Sequence, residues 1–249
     1  MKNNHPVNKE TGSATLVEWL RSLGLTFALF FLLLRPFVVQ AYHVPTGSME
    51  GTILIGDFLL VNKLAYGGIS PHKVPFTDFE LPCFHMPGYD SPGKGDIVVF
   101  KPPVDSPADY VKRCVAVGGD TVEMRDKVLY INHQPQDETY LRHADPQVRG
   151  RVNRLYGVGH FSWQYDYLID EKKKEPGGFY SPTRDNFGPL VVPEGKYFCL
   201  GDNRDVSSDS RFWGFVDREL IKGRPMLIHF SWDKKGRLPR FDRIGRIIQ

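Results

Sequence analysis

The sequence has few cysteines and none of the motifs that mark metal sites or histidine-based hydrolases. Its three cysteines, Cys83, Cys114 and Cys199, show neither a CxxC motif nor the Cys/His spacing that holds zinc. A GxSxG motif is absent, and none of the eight histidines stands in a distinctive motif. No metal or other cofactor is therefore expected, and nothing in the sequence supports a Ser-His-Asp triad. The odd cysteine count leaves at least one thiol outside any intramolecular disulfide, and which two cysteines pair is open.

The chain also lacks a strong excess of positive or negative charge. The formal net charge is only +3 over 249 residues, so nucleic acid is not an expected partner. The hydrophobic fraction of 41% and the charged fraction of 24% are those of an ordinary globular protein, which excludes the disordered and collagen-like classes. The 24 glycines and 19 prolines separate many short runs of Val, Ile, Tyr and Phe. This pattern favours a turn-rich β protein.

Long apolar runs are limited to one stretch near the amino terminus. Residues 22–34 carry no charge and are followed by Arg35 and Pro36. A bilayer core needs about 20 apolar residues, with about 17 as the low end, so the stretch spans a membrane only if its flanks contribute. We predict a short polar tail over residues 1–15 and one membrane anchor helix over residues 16–36.

Two other interpretations of this apolar stretch remain open. Residues 39–41 (Val-Gln-Ala) resemble a small-x-small cleavage site, so the stretch also fits a cleaved signal peptide. The anchor is favoured because Arg35 and Pro36 lie where a processing enzyme needs an extended segment. A buried core helix is disfavoured because the stretch is apolar around its whole circumference. The balance of basic residues places the amino terminus inside the cell, although only weakly.

Strand signals recur through the rest of the chain, which we interpret as one β domain over residues 37–249. They alternate with Gly, Pro and Asp turns in a meander-like order. Residues 133–190 differ, because polar and charged residues dominate there, and we predict a peripheral insertion. The strand signals lie at residues 53–61, 95–100, 109–117, 121–124, 128–132, 190–192 and 197–200.

Two residues outside any histidine motif are candidates for chemistry. Ser48 follows Pro45 and Gly47, which favour a shaped turn, so it is either an ordinary turn serine or an exposed nucleophile. Lys112 lies on a strand among apolar neighbours and shares one face with Tyr110. To act as a base near neutral pH, its pKa must fall by about 3 from about 10.4, which disfavours the charged form by roughly 4 kcal/mol. Alternatively, Lys112 lies on an edge strand, where its charge prevents that edge from pairing with another strand.

The carboxyl-terminal segment is basic. Residues 222–249 carry eight Lys and Arg against Asp233 and Asp242, a net charge of 8 − 2 = +6, with aromatic residues interleaved. Anionic lipid headgroups would attract such a segment by about 1 kcal/mol per basic residue near the membrane surface. An ordinary solvated tail explains the same composition.

Four sequence blocks, in order, resemble the motif blocks of bacterial type I signal peptidases. They are PTGSMEGTILIGDFLLV (45–61), KGDIVVFKPP (94–103), DYVKRCVAVGGDTV (109–122) and GDNRDVSSDSRFWGFV (201–216). The resemblance implies a mainly β protein with an antiparallel β-sheet catalytic core of the signal-peptidase type, preceded by one amino-terminal transmembrane helix. It covers most of the predicted core and omits the 133–190 insertion.

The resemblance also implies roles for individual residues. Ser48 matches the nucleophile of the family and Lys112 its general base, which form a Ser/Lys dyad that proceeds through an acyl-enzyme. The oxyanion hole would consist of the Ser48 N–H and the Thr46 hydroxyl. Many relatives carry serine at the position of Thr46, and its β-branch restricts the rotamer. Ser207 matches the hydroxyl that orients the lysine, and the supporting polar residues are Asp202, Asp209, Arg211 and Arg113. Val206 departs from a frequent asparagine.

Members of the family bind the substrate as an added strand. Shallow apolar pockets would then select small residues, typically Ala, at the first and third positions before the cleaved bond. The residues that we expect to shape this groove are Tyr42, Val44, Pro45, Met49, Ile53, Tyr110 and Val111.

We therefore expect a monomeric serine endopeptidase of the bacterial inner membrane, with its catalytic domain on the periplasmic side. Its partners would be signal peptides of exported preproteins and membrane phospholipids. A peptidase dedicated to one pilus or conjugation substrate and a catalytically silent signal-peptide binder are the alternatives. Self-cleaving repressors also use a Ser/Lys dyad, but they carry a DNA-binding amino terminus. Several relatives have two membrane segments, whereas one apolar run is visible here.

Overall fold

The computed structural model describes residues 11–30, 38–67, 87–149, 161–169, 180 and 182–249. Helix α1 (Thr11–Leu29) begins inside the segment predicted to be a polar tail, because a polar first turn gives no apolar signal from which to predict a helix. Within the described ranges, no helix combines the length and the apolar character that a bilayer crossing requires. Residues 1–10 of the predicted tail and residues 31–36 of the predicted anchor lie outside these ranges.

The rest of the described chain is mainly antiparallel β structure, as predicted. A short helix α2 (Ser210–Trp213) and three 3₁₀ turns (Ser162–Tyr167, Arg218–Leu220 and Phe241–Arg243) complete it. The described strands are β1 (Val39–His43), β2 (Asp57–Asn62), β3 (Ile97–Phe100), β4 (Tyr110–Val117), β5 (Thr121–Arg125), β6 (Val128–Ile131), β7 (Gln134–Pro135), β8 (Phe187–Val191), β9 (Lys196–Leu200), β10 (Val216–Asp217), β11 (Ile221–Asp233) and β12 (Leu238–Pro239).

The strands form two sheets. The larger sheet has the order β1-β2-β11-β3-β4-β9-β10, with β12 paired to β11, and the smaller has the order β7-β6-β5-β8. In the larger sheet β4 lies between β3 and β9, which explains why its residues from Lys112 to Ala116 are all buried. In contrast, β2 alternates between buried and half-buried residues, with Leu59 and Val61 in the core.

Some described residues between 133 and 190, the range predicted to be a peripheral insertion, lie in the core. Phe187 and Leu190 are buried, and β8 pairs with β5 in the smaller sheet. Trp163 and Tyr167 pack edge-on against the buried Phe215, with ring centroids 5.3 and 4.9 Å away. These aromatic residues are scattered among polar ones, so the composition of the segment hid their contribution to the core. The remaining insertion residues, 150–160, 170–179 and 181, lie outside the described ranges.

Candidate active site

Ser48 lies on a turn between β1 and β2. Antiparallel pairing of these strands brings both ends of the turn together, and the Val44 N–H donates to the Asp57 carbonyl at 2.9 Å. Met49 and Ile53 are fully buried and anchor the turn in the core, and the Ile53 N–H donates to the Met49 carbonyl at 2.9 Å. Ser48 itself is buried apart from 8% of its surface. The turn therefore holds Ser48 in a fixed position.

Lys112 reaches Ser48 from β4, although the two residues are far apart in sequence. The Lys112 Nζ lies 2.7 Å from Ser48 Oγ and donates to the Val111 carbonyl at 3.2 Å. Only 4% of the surface of Lys112 is exposed. This burial argues against the alternative, in which an exposed Lys112 would protect the edge of a sheet.

Burial tunes the lysine for proton transfer. Loss of solvent lowers the pKa of Lys112 to about 8, against the opposing effect of the Asp209 carboxylate, which raises it. A substantial minority of the molecules, on the order of a tenth at pH 7, then carries a neutral amine. A neutral Nζ at this distance can accept the Ser48 hydroxyl proton, so the pair can generate a serine nucleophile without histidine.

The segment after β9 packs directly behind the pair. A methyl group on Gly201 would lie 2.3 Å from Ser207 Oγ and 2.5 Å from the Ser48 carbonyl oxygen, so only glycine fits there. Ser207 Oγ is buried and makes no hydrogen bond of good geometry within the described part of the chain. It nevertheless lies close enough to Asp209 to help lower the pKa of that carboxylate. The orientation of Lys112 by Ser207 therefore stays a prediction.

Two buried ion pairs hold this segment. Arg211 binds Asp209 through two contacts of 2.8 and 2.9 Å, and neither side chain is exposed. Burial raises the pKa of Asp209, but the Arg211 charge and hydrogen bonds outweigh it and the net pKa is lowered. Arg113 binds Asp202 through two contacts of 2.9 Å each. These four residues were predicted as supporting residues, and the structure brings them together around the Ser48–Lys112 pair.

The turn that carries Ser48 is tied to the 201–204 segment by hydrogen bonds to its backbone. The Asn203 N–H donates to the Ser48 carbonyl at 3.0 Å, and its side-chain amide donates to the Gly47 carbonyl at 3.2 Å. Thr52 adds a hydroxyl bond of 2.6 Å to Asp202. The sequence-based prediction missed Asn203 and Thr52, although both stand inside the quoted motif blocks.

A layer from residues 138–142 covers this ion-pair network. The Arg113 guanidinium stacks 3.8 Å from the centre of the Tyr140 ring, and the Tyr140 hydroxyl donates to Glu138 at 2.8 Å. Glu138 also pairs with the buried Arg204. No sequence motif indicated this layer, because it belongs to the segment predicted as a peripheral insertion.

A groove of about 190 Å³ opens at the Ser48–Lys112 pair. Six of the seven predicted pocket residues line it, and Thr46 lies exposed on its wall. Ile53 does not line the groove, because it is fully buried in the core with Val44 and Met49. The resemblance had placed Ile53 among the pocket residues, and that role of Ile53 stays a prediction. The groove-lining residues that the prediction omitted are His43, Ala108, Asp109, Val206 and Ser208.

Comparison with known proteins decides the family. A family model described as signal peptidase, peptidase S26, matches residues 16–230. The chain belongs to this family. Among its relatives, signal peptidase I of Pseudomonas fluorescens is 35% identical over 260 residues, covering 97% of this chain and 81% of the relative. Signal peptidase I of Pseudomonas aeruginosa is 36% identical, covering 97% and 81%. That of Aquifex aeolicus is 35% identical, covering 80% and 79%. The protein is therefore a hydrolase of the signal peptidase type.

Proposed function

We propose that this signal peptidase is a serine endopeptidase that removes amino-terminal signal peptides from exported preproteins, with Ser48 as nucleophile and Lys112 as general base. The observation that carries the proposal is the 2.7 Å contact between Lys112 Nζ and Ser48 Oγ, at one end of an open groove. Burial holds the pKa of the lysine at about 8, close to the pH at which a general base is most effective.

The reaction would proceed in two halves. Neutral Lys112 takes the hydroxyl proton as Ser48 Oγ attacks the carbonyl before the scissile bond, and the protonated lysine then delivers that proton to the leaving amine. The Ser48 N–H and the Thr46 hydroxyl are the proposed donors to the oxyanion. In the second half Lys112 takes a proton from water, which attacks the acyl-enzyme; the protonated lysine then returns the proton to Ser48 Oγ as the signal peptide leaves.

The groove suits an extended substrate with small side chains. Its walls come from the end of β1 and from the beginning of β4, so a peptide strand can lie between them and pair with backbone groups. Val44, Met49 and Tyr110 leave a volume of only about 190 Å³. We therefore propose cleavage after Ala-x-Ala sequences, because alternate side chains of an extended peptide point to the same wall.

The proposed location is the bacterial inner membrane, with the groove on the periplasmic side and the protein acting as a monomer. The apolar segment at residues 16–36 would anchor the chain, and phospholipid headgroups would contact the basic segment at residues 222–249. Exposed Leu238 and Phe241 in this segment add apolar contacts for such a surface. Vesicle sedimentation with neutral and anionic lipids tests the headgroup contact directly.

Mass spectrometry of a cleavage reaction tests the activity and the scissile position together. The full chain is incubated with a preprotein that carries an Ala-x-Ala site, and a single cut after the second Ala is expected. Ser48→Ala should abolish the cut, whereas the matched control Ser91→Ala, at an exposed serine, should retain it. Undiminished cleavage by Ser48→Ala would contradict the proposed nucleophile.

A panel of unrelated preproteins separates the remaining alternatives. A general signal peptidase should cut most of them, and an enzyme dedicated to one substrate should cut at most one. A silent binder should retain the preprotein on the enzyme, with no cut by the wild-type chain.

A further inference from the structure

Cys114 and Cys199 face each other across the pair of strands β4 and β9. They are Cα partners in this antiparallel register, and both side chains are fully buried as free thiols. Cys114 stands two residues after Lys112 and therefore on the same face of β4. The two thiols thus lie in the core next to the proposed base.

The backbone bonds show which type of cross-strand pair this is. The Cys114 N–H donates to the Asp96 carbonyl and its own carbonyl accepts from the Gly95 N–H, both at 2.8 Å, so its polar groups point away from β9. The Cys199 N–H donates to Ser210 Oγ at 2.9 Å, away from Cys114. The cysteines therefore form a non-hydrogen-bonded antiparallel pair, in which Cα atoms are about 4.5 Å apart and side chains are closest. Disulfides form over Cα distances of about 4.4 to 6.8 Å.

The environment of the sulfur atoms agrees with this geometry. Burial, together with a hydrogen bond to the Cys114 thiol, raises the pKa of the Cys199 thiol. The two sulfur groups are thus immediate neighbours. Apolar side chains such as Phe100 and Ile221 enclose them in the same cluster, so a bond between them would be shielded from reductants.

We propose that Cys114 and Cys199 form an intramolecular disulfide in an oxidising compartment, leaving Cys83 as the remaining thiol. The two S–H bonds are lost, one Sγ–Sγ bond forms, and the two electrons and two protons pass to a disulfide oxidant, which becomes two thiols. The physiological setting rests on the periplasmic location proposed above, whereas the pairing itself rests on the register of β4 and β9.

The bond would fasten two parts of the active site to each other. Cys114 follows Lys112 on β4, and Cys199 lies on β9, just before Gly201. A covalent link there would hold the strand of the proposed base against the segment that packs behind Ser48. Because it closes a long loop, it should also stabilise the fold, with a rise in the thermal midpoint of roughly 5 to 15 °C.

Peptide mapping tests the pairing. The full chain is carried through unfolding and refolding in a buffer of reduced and oxidised glutathione, so burial does not limit access to the thiols. Remaining thiols are then alkylated in denaturant and the chain is digested with trypsin. Cleavage at Arg113 and Lys196 releases CVAVGGDTVEMR and YFCLGDNR, and the expected product is these two peptides joined. The Cys83 peptide, residues 74–94, should carry the alkyl group.

Variants make the test specific. Cys83→Ser should retain the linked peptides and the rise in thermal midpoint on oxidation, whereas Cys199→Ser should lose both. Three alkylated cysteines after oxidation, or a link that contains Cys83, would overturn the inference. Cleavage is assayed separately on the reduced chain, in which the disulfide is absent, so failure of the disulfide and failure of the proposed peptidase activity are distinguishable.

Discussion

The Lys112 amine lies 2.7 Å from the Ser48 hydroxyl oxygen, and both residues are buried. In a Ser-His-Asp triad the base already titrates near neutral pH, and the carboxylate orients it. In the proposed mechanism the base is a lysine, and burial would perform the tuning that imidazole chemistry provides elsewhere. Under this proposal the sheet core is part of the catalytic apparatus, which leads to predictions that connect activity with stability.

The activity should depend on pH through Lys112. Because the pKa of this lysine is about 8 and the base must be neutral, kcat/KM should fall about tenfold per pH unit below 8 and level off above it. Rates on a peptide substrate without titratable side chains provide the measurement. Lys112→Arg should be inactive at every pH, because arginine stays protonated. A flat profile between pH 6 and 9 would exclude Lys112 as the base.

The same burial should cost stability. An unfolded lysine titrates near 10.4, and the folded pKa is about 8, so the unfolded chain binds more protons between these values and stability rises with pH across this window. Below pH 8 the full free-energy cost of burying the charged Lys112 is present. We expect Lys112→Met to raise the free energy of unfolding at pH 7 by about 1 to 3 kcal/mol, net of the lost hydrogen bonds. Urea unfolding at pH 7 and pH 10.5 checks this, and the gain should vanish at the higher pH.

Gly201 should tolerate no side chain. In Gly201→Ala the new methyl group would overlap Ser207 Oγ and the Ser48 carbonyl, so the nucleophile turn must shift. A displacement of about 1 Å costs on the order of 100-fold in rate, and kcat/KM should fall by this factor. Gly93→Ala is the matched control, since its methyl group would meet nothing closer than 3.6 Å. Equal activities of the two variants would show that the contact behind Ser48 is unimportant.

Asp209 connects the ion-pair network with the proposed base. In Asp209→Asn the buried Arg211 loses its charged partner, and breaking such a pair costs about 3 to 5 kcal/mol. Asp209 also raises the pKa of Lys112, so its removal should move the midpoint of the pH profile below 8. The half-exposed Asp217 offers a control, because Asp217→Asn removes a carboxylate that pairs with Lys196 at the surface. An unchanged midpoint of the pH profile in Asp209→Asn would show that Asp209 does not influence the pKa of Lys112.

Sequence reasoning reached the fold class and the Ser48–Lys112 pair by different routes. Short apolar runs between turns carry strand information locally, so the antiparallel β character followed from the residues themselves. The contact between Ser48 and Lys112 depends on strand order, which no local pattern contains, and only the resemblance to a family indicated it. The resemblance also named Ile53 for the pocket, but it could not show that this residue packs in the core with Val44 and Met49. The 138–142 layer was missed because its contacts with the site run to Arg113 and Arg204, which are distant in sequence.

That layer yields the last prediction, which concerns Tyr140. Its ring stacks 3.8 Å from the Arg113 guanidinium, which in turn binds Asp202 beside Asn203, the residue that holds the Ser48 carbonyl. Tyr140→Leu removes the stacking, worth about 1 to 2 kcal/mol at a shielded site, and should lower kcat/KM about tenfold with little change in KM. Tyr140→Phe keeps the ring and should retain most of the activity.

A matched control for Tyr140 is present in the same chain. Tyr130 stacks on Arg125 at 4.8 Å in the smaller sheet, away from the groove, so Tyr130→Leu removes a contact of the same kind at a more exposed arginine. Thermal unfolding is measured beside the kinetics for both leucine variants. If Tyr140→Leu and Tyr130→Leu lose stability equally and neither loses kcat, Tyr140 is a structural residue only. A loss of kcat that occurs in Tyr140→Leu but not in Tyr140→Phe or Tyr130→Leu would assign the 138–142 layer a role in positioning the turn that carries Ser48. Stacking on Arg113 is the contact that the tyrosine and phenylalanine side chains share.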